Sequence, residues 1–483
     1  LPGGTPGAVK GRHPDIEAAI RSDFGILTKG TGLAALVMPG GALMGVIWAR
    51  GDGSFYESIG DTTLKLSGSA LIQFAREIFV GDAGGTHRWN IDGGTIRAGY
   101  NIVQFGNTNG AGWAVVTQTA GVVDFPGMWV LIKPTGRVLM TGGLCRYGNT
   151  DISGEFTQTG GTFTNIYTLY VGNTPASGAG VLNWLGGSGT VCYDLRIGAN
   201  GGTGTVNQGA GTYREFQGYS GQFHALIGGA NGMGTYNLGD TNGPATNFFY
   251  SPSWSFYVTV GKTGTVRGCG RFDVLSYFWQ AALDQSGRII ADGYGVDRTL
   301  EIAMQAGATI SNTVDNTSDK GWFAVNHGKL VLKPVSIPAG NITTNWGEAG
   351  DDAAIDLINS VRMDVSGVAG SATLNGALLA PDRTDLPPQP PGPHVLLSVH
   401  DFSLSQAFAS CRLTFRYDDA AIAARNLVPW TVEAWWYNGS GWVNVGDVID
   451  TDAKIIRTRT LTALGKFAIT AHFQPQGTLI QVK

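Results

Sequence analysis

Residues 154–173 read GEFTQTGGTFTNIYTLYVGN, and this stretch contains both phrases of the repeat that decides the fold. One phrase is a polar strand that ends in a glycine pair, FTQTGG at residues 156–161. The other is an apolar pair followed by glycine and a small polar residue, YVGN at residues 170–173. Apolar and polar residues alternate within each phrase, which directs one set of side chains inward and the other toward water. The glycines supply the positive φ angles that tight corners between strands require.

Both phrases recur along the middle of the chain. The apolar phrase recurs as FVGD at 79–82, QFGN at 104–107, RIGA at 196–199, LIGG at 226–229 and TVGK at 259–262. The polar phrase recurs as NIDGG at 90–94, LMTGG at 139–143, WLGG at 184–187 and VNQGAG at 206–211. The spacing is 25 residues between Gly81 and Gly106 and 26 between Gly172 and Gly198, and it lengthens toward residue 261.

A period near 25 residues predicts one coil of a β-solenoid, built from three strands of about five residues each. Successive coils are expected to stack about 4.8 Å apart, with ladders of Thr and Asn side chains along the stack. Gly148 is taken as a corner 24 residues before Gly172. Between Gly106 and Gly148 the register is less clear, and Lys133 replaces the glycine of a degenerate coil. A β-propeller blade needs about 40 residues, which is too long for this period. A β-sandwich with irregular turns remains an alternative for the later, longer units.

Changes in composition divide the chain into four parts. Residues 1–59 are predicted to form an N-terminal arm with a short capping helix at 13–21, the alternative being a loosely attached arm. Residues 60–380 form the predicted solenoid. Residues 381–393, PDRTDLPPQPPGP, are interpreted as a stiff linker or a crossing strap. Residues 394–483 alternate at period two around an Asn438-Gly439 turn signal, which predicts a separate antiparallel β-sandwich. The predicted fold class is therefore all-β, a parallel β-helix followed by a sandwich.

Composition excludes several classes of protein. Glycine contributes 74 of 483 residues without a triplet repeat, and the aromatic content is too high for a disordered chain. A net charge of −4 without a basic stripe argues against nucleic acid, and the absence of an 18-residue apolar run argues against a membrane span. Four dispersed cysteines without CxxC spacing predict buried free thiols at Cys145, Cys192 and Cys269. The start at Leu1 is taken to indicate a processed, secreted chain.

The repeats resemble the glycine-rich repeats of bacterial surface proteins. The similarity rests on FTQTGG at 156–161, LYVGN at 169–173 and LRIG at 195–198, and on FRYDD at 415–419 near the C-terminus. The family comprises autotransporter-type and sorting-signal-bearing extracellular β-solenoid proteins, common in planctomycetes and related bacteria. The resemblance implies a β-solenoid architecture and an extracellular or cell-surface location.

Candidate chemistry is sparse. Acidic residues between Phe105 and Phe248 show no cluster that recurs one coil apart: Asp124, Asp151, Glu155, Asp194, Glu215 and Asp240. Two acidic segments, 315–319 and 348–352, offer oxygen ligands for calcium, with solvated turns as the alternative. The densest aromatic group is assigned to core packing, with sugar stacking as the alternative: Trp435, Trp436, Tyr437 and Trp442. The seven histidines are dispersed.

These patterns predict a structural extracellular protein that self-assembles into a surface layer, sheath or filament. Association as a homopolymer is expected through the solenoid ends and the C-terminal sandwich. The alternative is an adhesin that binds surface glycans, and a third hypothesis is a polysaccharide-degrading β-helix enzyme. No catalytic, cofactor-binding or metal-binding residue is predicted.

Overall fold

The computed structural model describes residues 34–38, 42–44, 55–56, 62–69, 71–74, 77–81, 85–98, 101–217, 223–229, 231–251, 256–276, 281–304, 309–311, 321–347, 355 and 357–473. The chain is nearly all β, a β-solenoid of about eight turns with an antiparallel sheet near the C-terminus, which confirms the predicted fold class. It divides into two compact units. The first contains Leu1–Arg267 and Phe272–Ala282, and the second contains Gly268–Arg271 and Leu283–Lys483.

The first unit is a parallel solenoid with three faces, each a stack of strands from successive coils. The first face contains β1 (Ala34–Met38), β4 (Thr62–Leu66), β10 (Gly136–Met140), β12 (Glu155–Gln158), β15 (Ala179–Trp184), β18 (Thr203–Gln208) and β21 (Met233–Leu238). The second contains β2 (Ala42–Met44), β5 (Leu71–Phe74), β13 (Thr162–Asn165), β16 (Ser188–Val191), β19 (Tyr213–Gln217) and β22 (Ala245–Ser251). The third contains β3 (Phe55–Tyr56), β6 (Ile78–Val80), β8 (Asn101–Phe105), β14 (Leu169–Val171), β17 (Leu195–Ile197), β20 (Phe223–Ile227) and β23 (Phe256–Val260).

Three long strands bend from one face to the next: β7 (Gly85–Ala98), β9 (Gly112–Ile132) and β11 (Leu144–Ile152). The boundaries between the two units fall within three strands: β24 (Gly264–Gly268), β25 (Gly270–Ser276) and β26 (Ala281–Gln285).

The solenoid core is built from columns of apolar side chains in register. One column of the third face is fully buried along its whole length: Val80, Phe105, Ile132, Ile152, Val171, Ile197, Ile227 and Val260. Its members follow one another at intervals from 19 residues, between Ile152 and Val171, to 33, between Ile227 and Val260. The register is continuous across these unequal coils, so the extra residues are accommodated in the corners.

Glycines with positive φ occupy two sets of corners, as the repeat predicted. The corner before the first face contains Gly81, Gly106, Gly172, Gly198 and Gly228, and the corner after it contains Gly94, Gly121, Gly143, Gly161, Gly187 and Gly211. Lys133 follows Ile132, the partner of Phe105, and therefore replaces the glycine at the position of Gly106. This position of Lys133 matches the prediction. Gly148 also lies at a corner, but at a different one from Gly172: it stands between the second-face and third-face parts of β11, where the register shifts between Tyr147 and Asn149.

The second unit begins with parallel strands and continues into an antiparallel sheet. Its first strands are β27 (Arg288–Asp292), β28 (Thr299–Met304), β29 (Thr309–Ser311), β30 (Trp322–His327), β31 (Lys329–Leu332) and β32 (Val335–Ile337). β27 pairs with β30 and β28 with β31, all in parallel. β31 and β32 then pair antiparallel with β35 (Ala372–Leu379). The sheet continues through β36 (His394–Leu404), β42 (Lys466–His472), β38 (Glu433–Tyr437) and β39 (Trp442–Asn444).

A five-stranded antiparallel sheet completes the second unit. Its order is β33 (Gly340–Trp346), β34 (Val361–Val368), β37 (Ser410–Arg416), β41 (Ile455–Thr458) and β40 (Gly446–Asp450). Aromatic rings pack between this sheet and the sheet that contains β36 and β42. The ring centroids of Trp346 and Phe402 are 5.7 Å apart, as are those of Phe415 and Phe467. The two sheets therefore form a sandwich. A short helix, α1 (Asp419–Ala424), begins at Asp418, whose side chain accepts a hydrogen bond from the Ala421 amide.

The proline-rich segment 381–393 connects two strands of one sheet rather than two domains. It joins β35 to β36, which pair directly with each other. Its own contacts fasten it to the second unit: His327 Nδ1 lies 2.6 Å from Asp382 Oδ2, Arg383 contacts Asp297, and the Trp442 indole donates to the Pro388 carbonyl. Of the two interpretations offered above, the structure therefore corresponds to the strap.

Two other boundaries differ from those proposed on composition. Parallel pairing of β1 with β4 brings strands from within 1–59 into the solenoid, whereas the helix predicted at 13–21 lies outside the described residues. The sandwich includes β33, β34 and β35 and so begins well before residue 394. The Asn438-Gly439 hairpin is confirmed, because β38 and β39 pair antiparallel and Gly439 has a φ of 93°.

Candidate functional site on the solenoid

Several aromatic side chains project outward from the third face of the solenoid. Trp129 on β9 and Tyr170 on β14 alternate with buried apolar neighbours, so the strand period turns their rings toward solvent. Tyr167 and Tyr193 lie just before β14 and β17, and Arg196 is the outward residue of β17. These five residues are here called the aromatic surface.

The rings of the aromatic surface are held in defined orientations. Trp129 and Tyr170 stack with centroids 6.3 Å apart and planes inclined by 14°. The Arg196 guanidinium lies 5.7 Å from the centroid of the Tyr170 ring, a cation–π arrangement, and donates to Asp194 Oδ2 at 2.9 Å. The rings of Tyr167 and Tyr193 lie 5.7 Å apart. Neighbouring contacts therefore restrict side chains that remain open to solvent: Trp129 is 43% exposed and Tyr167 is 41% exposed.

A carboxylate is the register partner of one of these rings. Asp151 on β11 pairs with Tyr170, and its Oδ1 accepts a hydrogen bond from Ser153 Oγ at 3.1 Å. Burial raises the pKa of the Asp151 carboxyl, and the Ser153 hydrogen bond and the charge of Lys133 oppose that shift. The face thus combines flat apolar rings with hydrogen-bonding groups, an arrangement suited to ligands that have both an apolar plane and polar edges.

The six acidic residues singled out in the sequence are spread over different faces and turns, and each has a structural partner. Asp124 accepts two hydrogen bonds from Arg146, at 2.7 and 2.9 Å, which raise the pKa of the guanidinium. Glu155 accepts from Thr157 Oγ1 at 3.2 Å, and Glu215 accepts from Gln217. Asp240 accepts from the Asn242 amide at 2.7 Å. Asp151 and Asp194 share the third face and have the contacts given above.

The C-terminal aromatic group is mainly engaged in packing. Trp435 is buried, and its Nε1 donates to Thr470 Oγ1 at 3.0 Å. The rings of Tyr437 and Trp442 lie 5.4 Å apart, and Trp442 holds the strap through Pro388. These contacts agree with the assignment of this group to packing. The sequence did not single out the aromatic surface, because its members come from different coils and form no local cluster.

None of the four cysteines, all of which lie in the described part of the chain, forms a disulfide, as predicted for Cys145, Cys192 and Cys269; the predicted burial holds for Cys145 and Cys269 but not for Cys192. Cys145 and Cys269 are buried, and Cys192 is half-buried. Burial raises the pKa of Cys145 to about 12 and that of Cys192 to about 11, so both thiols stay protonated and weakly nucleophilic at neutral pH. Cys411 in the second unit is also buried, and burial raises its pKa to about 12.

The second unit contains a cavity of about 620 Å³ whose lining includes Trp322, Leu378, His394 and Arg425. Arg425 Nη1 donates to the Leu396 carbonyl at 3.2 Å, so this cation is already engaged within the fold. The candidate calcium segments 315–319 and 348–352 lie outside the described residues. In the part of the chain that the structure describes, no helix has the length and apolar character to cross a bilayer.

The chain matches no protein-family model, and comparison with curated proteins finds no similar sequence.

Proposed function

We propose that this chain is a non-catalytic, exported glycan-binding protein whose solenoid holds carbohydrate on the aromatic surface. The stacked pair of Trp129 and Tyr170 is the observation that carries the proposal. Sugar rings present apolar C–H planes and polar edges, and a fixed aromatic platform beside Arg196 and Asp194 complements both features. An exposed apolar patch with a polar rim is also the usual signature of an interaction site.

A binding role is favoured over hydrolysis by the state of the carboxylates. Glycoside hydrolases need two carboxyl groups about 5 Å or about 6.5–9.5 Å apart with the scissile bond between them. On the third face Asp194 is engaged by Arg196 and Asp151 by Ser153. The other four of the six acidic residues considered above, Asp124, Glu155, Glu215 and Asp240, belong to other faces and turns and have their own partners.

The proposal is tested with the full-length chain on an array of bacterial and plant polysaccharides. The double variant Trp129→Ala/Tyr170→Ala is expected to lose at least about tenfold in affinity, which corresponds to about 1.4 kcal/mol. Trp113→Ala is the matched control, because Trp113 is 40% exposed but projects from the part of β9 that belongs to the first face. Equal losses in both variants, or no binding by the unmodified chain, would reject the proposal.

Self-assembly is a second candidate, and β40 favours it. This strand is the last of the five-stranded sheet and is exposed at all five residues, including Val448 and Ile449. Among the described strands it pairs only with β41. Uncovered edge strands are templates for pairing with another chain. Antiparallel pairing of two copies centred on Val448 would place Asp450 of each copy opposite Gly446 of the other, and so beside its Asp447. We therefore expect association to strengthen as salt screens these charges.

Light scattering at low and high ionic strength tests the second candidate. The unmodified chain is expected to grow in mass with salt, and Val448→Lys is expected to stay monomeric because it adds charge to the edge. Mass growth that is identical in Val448→Lys, or a monomer under every condition, would exclude assembly through β40.

A further inference from the structure

Two of the dispersed histidines meet a glutamate on adjacent strands of the second unit. His394 begins β36, His472 ends β42, and Glu433 begins β38; β42 lies between the other two strands, and His394 is the register partner of His472. Glu433 Oε2 lies 3.3 Å from His394 Nδ1 and 3.6 Å from His472 Nε2. The two imidazole centroids are 4.3 Å apart, and one nitrogen or oxygen atom from each of the three residues lies within 4.8 Å of those of the other two.

The hydrogen bond of His394 determines which of its nitrogens carries a proton. Nε2 lies 2.7 Å from the Pro391 carbonyl oxygen, which can only accept, so Nε2 is the donor. In the neutral imidazole Nδ1 then presents its lone pair, and the atom it faces is Glu433 Oε2. The His394 side chain is only 8% exposed. Its Nδ1 and Glu433 Oε2 are both buried, and neither atom has a hydrogen-bond partner. Two electron-rich atoms in this position repel each other unless a positive charge lies between them.

We propose that His394 Nδ1, Glu433 Oε2 and His472 Nε2 bind one divalent transition-metal ion of the zinc class. Zinc takes nitrogen and carboxylate oxygen ligands at about 2.0–2.1 Å in tetrahedral geometry, which separates neighbouring ligand atoms by about 3.3 Å. The two separations from Glu433 Oε2 are close to that value. Calcium and magnesium prefer oxygen ligands, so two imidazoles select against them.

The surroundings of His394 fit the same assignment. Metal-bound histidines commonly donate their second nitrogen to a carbonyl or carboxylate, and the Pro391 carbonyl of the strap accepts that hydrogen bond here. Three protein ligands leave one tetrahedral position for water or another small ligand. An ion at this site would bind β36, β38 and β42 together next to the end of the strap and stabilise the folded second unit by mass action.

The test uses the untagged, full-length chain after treatment with a chelator. Zinc titration by calorimetry is expected to show one ion per chain, and Co²⁺ is expected to give the visible absorption of a tetrahedral complex. Glu433→Gln and His394→Ala are each expected to weaken zinc binding at least about tenfold. His327→Ala is the matched control, because His327 lies on β30 and pairs with Asp382.

Thermal unfolding provides a second readout. Zinc is expected to raise the Tm of the unmodified chain and of His327→Ala, but not that of His394→Ala. The alternative is an ion pair between protonated histidine and Glu433, in which case zinc neither binds nor stabilises the unmodified chain. Absence of zinc binding and of stabilisation in the unmodified chain overturns the proposal, whether or not the variants fold. An unchanged zinc affinity in Glu433→Gln also overturns it.

Discussion

At the scale of single residues, the corner glycines are required by the distance between coils. Gly172 has a φ of 63°, and a Cβ atom there would lie 1.7 Å from the Thr203 carbonyl oxygen of the next coil. At Gly198 the corresponding distance, to the Met233 carbonyl oxygen, is 2.0 Å. The backbone of one coil therefore occupies the space that any larger side chain in the previous coil would need.

Comparing Gly172→Ala with a second glycine variant separates the cost of crowding by the next coil from the cost of a positive φ. The matched control is Gly110→Ala, because Gly110 has a φ of 76° and open space where the Cβ would be. The control is expected to lose about 1–2 kcal/mol in the free energy of unfolding, the usual cost of a left-handed conformation. Gly172→Ala is expected to lose more, measured by urea denaturation followed by circular dichroism. Equal losses would show that the coils yield to the extra methyl group.

The exceptions to the glycine column also have a physical basis. The coil after Lys133 has Ser153 at the corner position, since Ile152 pairs with Ile132 and Val171. Glycine is displaced by one residue to Gly154, where a Cβ would lie 2.2 Å from the Lys133 carbonyl oxygen. The sequence pattern predicted the corners but not this shift, because close approach of two backbones depends on the neighbouring coil.

At the scale of elements, buried glutamines close the corners between the first and second faces. Gln118, Gln158 and Gln208 each point inward near the end of a first-face strand, and each donates to two backbone carbonyls. Gln158 Nε2, for example, donates to Gly161 of its own coil at 3.1 Å and to Ser188 of the next at 2.8 Å. These side chains therefore link successive corners as well as filling the core.

Gln158→Met is expected to destabilise the solenoid. Methionine fits the site, since Met140 occupies the equivalent position one coil earlier, but it removes one donor from each of two carbonyls, of which Gly161 keeps the Ser188 amide as its other donor. The expected loss is about 1–3 kcal/mol in the free energy of unfolding, measured by urea denaturation. Gln217→Met is the control, because Gln217 donates to the half-buried Glu215 side chain rather than to a corner. An unchanged midpoint for Gln158→Met would contradict this role.

Polar ladders were predictable in type but not in position. The expected Asn ladder is present: Asn207 donates to Asn183 and Asn237 donates to Asn207, both at 2.8 Å. The sequence did not predict the role of Gln118, Gln158 and Gln208. In sequence alone, a polar residue that points inward at the end of a strand looks the same as the first residue of a polar turn. Only the position of the next coil reveals that Ser188 supplies an acceptor.

At the scale of the whole molecule, composition predicted the two kinds of β-structure but misplaced their boundary. Glycine content falls after the proline-rich segment, yet β35 before it pairs with β36 after it. Antiparallel pairing joins residues distant in sequence, so a local change in composition cannot locate the edge of such a sheet. The pairing of His394 with His472 was hidden for the same reason. Extracellular location and self-assembly remain predictions.

Hydroxyl-radical footprinting of the unmodified chain, with and without a polysaccharide that it binds, tests the proposed glycan site most directly. The side chains of Trp129, Tyr167 and Tyr170 are expected to be oxidised in the free protein and shielded in the complex. Trp113 is expected to react equally in both states and therefore controls for radical dose. Shielding confined to other side chains, with Trp129 and Tyr170 still oxidised at the rate of the free protein, would contradict a glycan site on the third face.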